Sequence, residues 1–417
     1  MSSVPSLAQL RRPRALAAAA VLAAALSVLI PHVDAQTDKG RWVAAWGSSM
    51  QGLEPNATLT NASVRMIARS SLDGGAVRIR LENTFGRGPL RIGGAYVALR
   101  ASLAGIVEGS AVRVTFNGSP TVTIPASGTA TSDAATLPVR AGQDIAVSFW
   151  VPDANLPITS HSRALTTSYL SADGAGDHIA GDSREFFTRT TTAMYFLSAI
   201  DVLSDSARGA IVAFGDSITD GTCATLDAHD RWEDVMASRL VVAGRGDFGV
   251  VNEGIGGNTV TRENLVPPPN SPPGLERLDR DVLQRSGATH VIVFEGTNDI
   301  RRGASAAQVM AGLQEIVKRL KAARLKAIGV TIIPRHNAAP SPDNTGWDAA
   351  KTAARNTVND WIRHRGGFDA VIDFDEVVRK AENHDLIDPA YNCGDGIHPN
   401  PFGYLVMGRA VKLDVFK

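Results

Sequence analysis

Between Arg41 and about Leu203 apolar and polar residues alternate with a period of two. In Ala76 to Phe85, Val77, Ile79 and Leu81 fall on one face and Arg78, Arg80 and Glu82 on the other. Shorter runs at 112–116, 121–124 and 144–151 repeat the alternation, with Gly, Pro, Ser and Asn between them. Several short amphipathic strands separated by turn residues predict an antiparallel β-sandwich.

From Ser206 onward the pattern changes. Apolar runs at 210–214, 290–296, 327–333 and 370–374, with a weaker one at 248–254, read as strands buried on both faces. Between them, stretches at 231–242, 275–285, 306–323 and 347–363 carry helical periodicity. This strand–helix alternation predicts a doubly wound, flavodoxin-like α/β/α domain with about five parallel strands. Ligands of such sheets bind at the carboxyl ends of the strands.

The first residues follow neither pattern. Basic residues at Arg11, Arg12 and Arg14 precede a 16-residue apolar stretch, Ala15 to Ile30, which is short for a membrane span of about 20 residues. Small residues then lead to Ala35, so residues 1–35 read as a secretory signal peptide. The organisation expected is a signal peptide at 1–35, a β-sandwich at 36–205 and the α/β domain at 206–417. The mature chain is expected to be secreted or periplasmic, without stable membrane insertion. Lys and Arg number 42 against 42 Asp and Glu, a balance that argues against a nucleic-acid partner. Export also places Cys223 and Cys393, the only cysteines, in an oxidising compartment.

The chemistry gathers at the strand ends. "VAFGDSITDG", Val212 to Gly221, sets Ser217 just past the first strand of the second region. A serine attacks an ester only if a base takes its proton, a third group orients that base, and donors meet the negative oxygen that forms. "NEGIGGNT", Asn252 to Thr259, follows the second strand, and its glycines let backbone N–H groups approach a ligand. "EGTND", Glu295 to Asp299, brings the Asn298 amide, and "CGDGIHPN", Cys393 to Asn400, brings Asp395 and His398 three residues apart. Glu253, Asp216 and Asp299 read as turn or supporting residues. The histidines His161, His229, His290 and His336 read as surface or satisfied core positions. No cysteine and histidine cluster has metal-ligand spacing, so neither a metal nor a cofactor is expected.

Together these four stretches resemble the SGNH (GDSL) hydrolase superfamily. The resemblance implies Ser217 as nucleophile, His398 as base and Asp395 as third triad member. It further implies an oxyanion hole formed by Ser217, Gly257 and Asn298. Ile218 stands where the family commonly has Leu. "RWVAAWGSSM" at 41–50, "RLENTFGRGPLRIGGAYVAL" at 80–99 and "SHSRALTTSYLS" at 160–171 resemble a secreted bacterial subgroup with an N-terminal β-domain, described as arylesterases or acylhydrolases. The expected function is a secreted serine esterase acting on short acyl or aryl esters, including acyl groups on polysaccharide. A lysophospholipase-type lipid acylhydrolase is the alternative, and a non-catalytic glycan-binding protein a more distant one. If Ser217 and His398 meet, the loops carrying Cys223 and Cys393 pass close to each other, so a disulfide is expected between them.

Overall fold

Alternation in the N-terminal half resolves into antiparallel sheets in the computed structural model, which describes residues 40–335 and 346–417. The expected signal peptide and His336 lie outside the described residues. Four strands pair in the order Arg41–Gly47, Leu197–Ser204, Ala76–Glu82 and Thr129–Thr131. Six more run in the order Arg189–Thr191, Ser168–Leu170, Ala62–Arg69, Asp144–Val151, Gly94–Leu99 and Val112–Val114. Val77, Ile79 and Leu81 from the first sheet share one core with Val64, Met66, Val147 and Phe149 from the second, all fully buried. Each such side chain contributes roughly 1.5–3 kcal/mol by leaving water.

The polar face of Ala76–Glu82 does not look into solvent. Arg78 donates to Ser286 Oγ at 2.9 Å, Arg80 donates to Gln284 Oε1 at 2.8 Å, and Glu82, fully buried, lies 3.9 Å from Arg280. That face is the seam against the C-terminal half. Arg65 departs from alternation in another way. It is fully buried on the far face of the six-stranded sheet, with hydrogen bonds to Ser148 Oγ and the carbonyls of Ala104, Gly181 and Asp182. Burial lowers its guanidinium to about 10, with Asp182 opposing the shift.

The C-terminal half is built on a five-stranded parallel sheet. Its spatial order is Phe248–Gly254, Gly209–Gly215, Ala288–Phe294, Lys326–Val330 and Ala370–Ile372. Counted along the chain this is 2-1-3-4-5, so the order reverses beside the first strand, where doubly wound sheets open a crevice. Every residue of Gly209–Gly215 is buried, as a central strand covered on both faces requires. The helix Ala306–Ala322 starts at a capping box of Ser305 and Gln308, and buries Val309, Leu313, Ile316, Val317 and Leu320 along one stripe. Among the described residues no helix is long and apolar enough to cross a membrane.

Among the elements that differ from the sequence reading, two shape the packing around the site. The helix expected at 275–285 is a short turn, Gly274–Leu278, continuing into a wider π turn, Asp279–Leu283. Arg277, Asp281 and Arg285 project from it into buried ion pairs, so polar partners rather than an apolar stripe set its path. A helix with no expected counterpart, Pro401–Ala410, begins at the Asn400 cap with Pro401 in its first turn. Its Gly403 and Gly408, poor helix formers, allow close packing: a Cβ there would meet Tyr391 O at 2.4 Å and Trp232 O at 2.5 Å.

Cys223 and Cys393 form a disulfide, with Cα atoms 6.3 Å apart and a sequence separation of 170. The Tyr404 hydroxyl adds a second tie to the same loop, donating to Thr222 O at 2.7 Å. Closing so long a loop limits the unfolded chain, an effect of about 4.7 kcal/mol for a loop of ~100 residues in the entropy model and usually about 2–4 kcal/mol when measured. The Cys223→Ser/Cys393→Ser protein should therefore unfold at lower denaturant than the oxidised wild type. Equal midpoints in urea would show that the bridge adds nothing. A fragment starting near Ser206 should be insoluble, because it strips Arg280, Arg285 and Ser286 of their covering. A soluble fragment with a cooperative melt would show that the C-terminal half folds alone.

Candidate active site

The strand Gly209–Gly215 delivers its carboxyl end to Asp216, whose Oδ1 accepts the Ile218 N–H at 2.9 Å and so caps the turn Ser217–Asp220. Gly221, at φ 100°, ends that turn, while the N–H groups of Gly221 and Thr222 both donate to Ser217 O at 3.0 and 2.9 Å. Ser217 is thus held at the first position of a tightly tied turn, 8% exposed. Burial raises the Asp216 carboxyl to about 6, with the Ile218 N–H and nearby His398 and Arg335 opposing the shift.

His398 reaches the same point from the C-terminal loop. The Ser217 hydroxyl lies 2.8 Å from His398 Nε2, placed to donate to it, and His398 Nδ1 lies 2.5 Å from Asp395 Oδ2. Asp395 Oδ1 accepts the N–H groups of Ile397 and His398, each at 2.8 Å. Burial alone would push this carboxyl up. The hydrogen bond and charge of His398, with the two N–H groups, outweigh it and hold Asp395 well below the usual carboxylate range. Asn392 fixes the loop by accepting from Gly394 and Gly396 and donating to His398 O.

Gly257 and Asn298 lie in the loops that follow the two strands flanking Gly209–Gly215. Gly257 sits at φ 72° in a turn closed by the Asn258 N–H to Ile255 O at 3.1 Å, a third-position geometry that favours glycine. Its own N–H donates to no protein acceptor among the described residues. Asn298 Nδ2 donates to Asn258 O at 2.9 Å, which ties the amide to the glycine turn and leaves its second hydrogen for a ligand. Asp299 accepts from the N–H groups of Val260 and Thr261. Burial raises its carboxyl to about 7, against those two N–H groups.

Two residues at the site gave no signal in sequence. Arg335, buried beside the Trp347 ring, has Nη1 3.4 Å from Asn298 Oδ1 and from Thr297 Oγ1. Arg277, almost fully buried, donates to Gly215 O at 2.9 Å, Glu253 O at 2.7 Å and Asn258 Oδ1 at 2.9 Å. Nothing near either in the chain marks it, since its partners come from other loops. Among the described residues, Cys223, Asp395 and His398 bring potential metal-ligating atoms within 4.8 Å of one another. The sulfur is bonded to Cys393 and the imidazole bridges Ser217 and Asp395, so that trio already has other bonds to make.

Residues 213–406 match the GDSL-like lipase/acylhydrolase family. No curated protein matches the sequence. Among solved structures, a GDSL-like lipase from Bacteroides thetaiotaomicron is similar at 20% identity, over 50% of this chain and 88% of that one, with a TM-score of 0.38. A carbohydrate acetylesterase from Sinorhizobium meliloti is similar at 18% identity, over 48% and 95%, with a TM-score of 0.38. A member of the lipolytic G-D-S-L family from Veillonella parvula is similar at 19% identity, over 48% and 94%, with a TM-score of 0.36. Following an N-terminal region of antiparallel sheets, the C-terminal half of this chain is a GDSL-like lipase/acylhydrolase (SGNH) domain.

Proposed function

We propose that the protein is an exported serine esterase that cleaves short acyl or aryl esters, including those on polysaccharide, through an acyl-enzyme. The observation that carries this reading is the unbroken hydrogen-bonded chain from Ser217 Oγ through His398 to Asp395. As Ser217 Oγ bonds to the ester carbonyl carbon, its proton passes to His398 Nε2 and the carbonyl oxygen becomes an oxyanion. The N–H groups of Ser217 and Gly257 and the amide of Asn298 supply the donors for that charge. The imidazolium, steadied by Asp395, then protonates the leaving alkoxide as the C–O bond breaks. Water, deprotonated by the same imidazole, releases the acid and restores Ser217.

Ser217→Ala should keep the fold and lose nearly all turnover, because among the described residues Ser217 Oγ is the side-chain group hydrogen-bonded to His398 Nε2. Asn298→Ala should cost about 10²–10³ in kcat, the usual effect of losing one oxyanion donor. A panel of p-nitrophenyl esters, acetylated xylan and lysophospholipid reads both effects and ranks the substrate classes. Substantial turnover by Ser217→Ala would overturn the assignment, and a marked preference for lysophospholipid would move the substrate class to lipid.

The pH profile is a separate test. The base accepts a proton only when neutral, while Asp395 stays ionised far into acid. Turnover should therefore fall toward low pH with the slope of a single proton and hold a plateau on the alkaline side. A maximum near pH ~4, below where imidazoles titrate, would rule out a histidine base.

A further inference from the structure

His161 ends the strand Leu156–His161 of the N-terminal half, is 3% exposed, and takes no part in the triad. Its Nδ1 lies 2.8 Å from Ser49 O and its Nε2 lies 2.9 Å from Asp220 Oδ1. A carbonyl only accepts, so Nδ1 carries a hydrogen. An ionised carboxylate only accepts, so Nε2 carries one as well. The result is a buried imidazolium paired with Asp220. Burial and the nearby Arg231 oppose that charge, and Asp220 with the Ser49 carbonyl outweighs them, raising the imidazole from its ordinary value.

Asp220 is the last residue of the Ser217–Asp220 turn, and its other oxygen, Oδ2, accepts the Gly256 N–H at 2.9 Å. Gly256 and Gly257 are the two central residues of the turn from Ile255 to Asn258. Two successive glycines have the freest backbone a chain can offer, so their orientation depends on what they are tied to. The Ile255 N–H is tied to Gly215 O at 3.0 Å and Asn258 O to the Asn298 amide. On the glycine pair itself the short tie is Asp220 to the Gly256 N–H, beside a longer contact of 3.5 Å from Arg302 to Gly257 O. One carboxylate therefore joins the nucleophile's turn to the peptide next to Gly257, and one side chain from the N-terminal half orients that carboxylate.

We propose that His161 is a positioning residue for the oxyanion hole: it holds the Asp220 carboxylate oriented, so that Asp220 fixes Gly256 and presents the Gly257 N–H toward Ser217. This inference rests on the esterase reading above. It gives the N-terminal half a part in turnover without any contact with substrate. The pair also forms part of the wall of a cavity of about 350 Å³, lined by Trp46, Arg69, Arg231 and Glu233 among others. Shortening His161 opens onto that space and lets water reach Asp220, which loosens its alignment without overpacking the seam.

The test measures kcat and KM with p-nitrophenyl acetate, alongside thermal melts, for wild type, Ser217→Ala, His161→Gln, Asp220→Ala, Asp220→Asn and the His161→Gln/Asp220→Ala double variant. His161→Gln and Asp220→Ala should each lower kcat about 10- to 100-fold, with KM within about threefold, because donors are misplaced and ground-state binding is kept. The double variant should be no worse than the poorer single. Asp220→Asn should recover most of what Asp220→Ala loses. Its amide oxygen can accept from Gly256 while its NH₂ donates to a neutral His161 protonated on Nδ1, keeping all three hydrogen bonds. Wild-type kcat in His161→Gln, a loss confined to KM, or Asp220→Asn no better than Asp220→Ala would each overturn the proposal. If His161→Gln folds poorly, the comparison of the two Asp220 variants decides alone. Turnover that survives Ser217→Ala overturns the esterase reading and this inference with it. Turnover that needs Ser217 and ignores His161 overturns this inference only.

Discussion

A single guanidinium holds the ends of three strands in place. Arg277, 1% exposed and 4.0 Å from the Phe214 ring centroid, donates to Gly215 O, Glu253 O, Glu295 Oε1, Asn258 Oδ1, Asp281 Oδ2 and Ser49 Oγ. Gly215, Glu253 and Glu295 stand at the carboxyl ends of the first three parallel strands, immediately before the loops that carry Ser217, Gly257 and Asn298. A lysine could not substitute: its compact ammonium has three donors, whereas the planar fork reaches acceptors on several sides at once. The crevice at the reversal of strand order is therefore set from beneath by one buried cation.

Burying that cation is costly, and the surroundings show how the cost is offset. Asp281 pairs with Arg277, Arg280 and Arg285. Burial would raise its carboxyl, and those guanidinia together hold it well below the usual range instead. Burial and the nearby Asp216 push Glu295 the other way, well above it. The cluster thus combines an ionised Asp281 with a Glu295 that favours its neutral form. Such an arrangement contributes little net stability compared with an apolar core, yet removing one partner would strand the others. Its partners include Ser49 and Glu82 from the N-terminal half, which makes that half part of the site's foundation.

Much of this was legible in the sequence, for physical reasons that differ by element. The parallel strands announce themselves because burial on both faces demands continuous apolar runs: 248–254 matches its observed limits, and 210–214 lies inside Gly209–Gly215. The strand at 144–151 is likewise recovered at its observed limits. Ser217, Gly257 and Asn298 stood out because each follows a strand end, where the sequence must switch from apolar to Gly, Asp, Ser or Asn, whereas Asp395 and His398 stood out by their spacing of three in a C-terminal loop. What stayed hidden is what depends on partners far away in the chain. The turn around Arg277 and Asp281 looked like an amphipathic helix, since spacing of four residues is shared by an apolar stripe and an inward ion pair. Pro401–Ala410 escaped because two glycines weaken a local helical pattern that only its packing against Trp232 and Tyr391 makes worthwhile. Likewise, alternation in Ala76–Glu82 showed two faces without showing that the polar one would be covered by another part of the same chain.

The same distinction explains the position of His161. A histidine at the end of a β-strand carries no catalytic spacing, and its two ring nitrogens find their partners 112 and 59 residues away. Its environment differs from that of His398 in one decisive respect. His398 has one acceptor at Nδ1 and a hydroxyl at Nε2, and a hydroxyl can either donate or accept, so the proton between them can sit on either atom. His161 faces a carbonyl on one side and a carboxylate on the other, so both nitrogens are engaged as donors and neither faces a hydroxyl. One imidazole is arranged to move a proton and the other to keep two. The difference lies in the acceptors each fold element presents, which is why the mobile proton belongs to the C-terminal loop and the fixed ones to the seam.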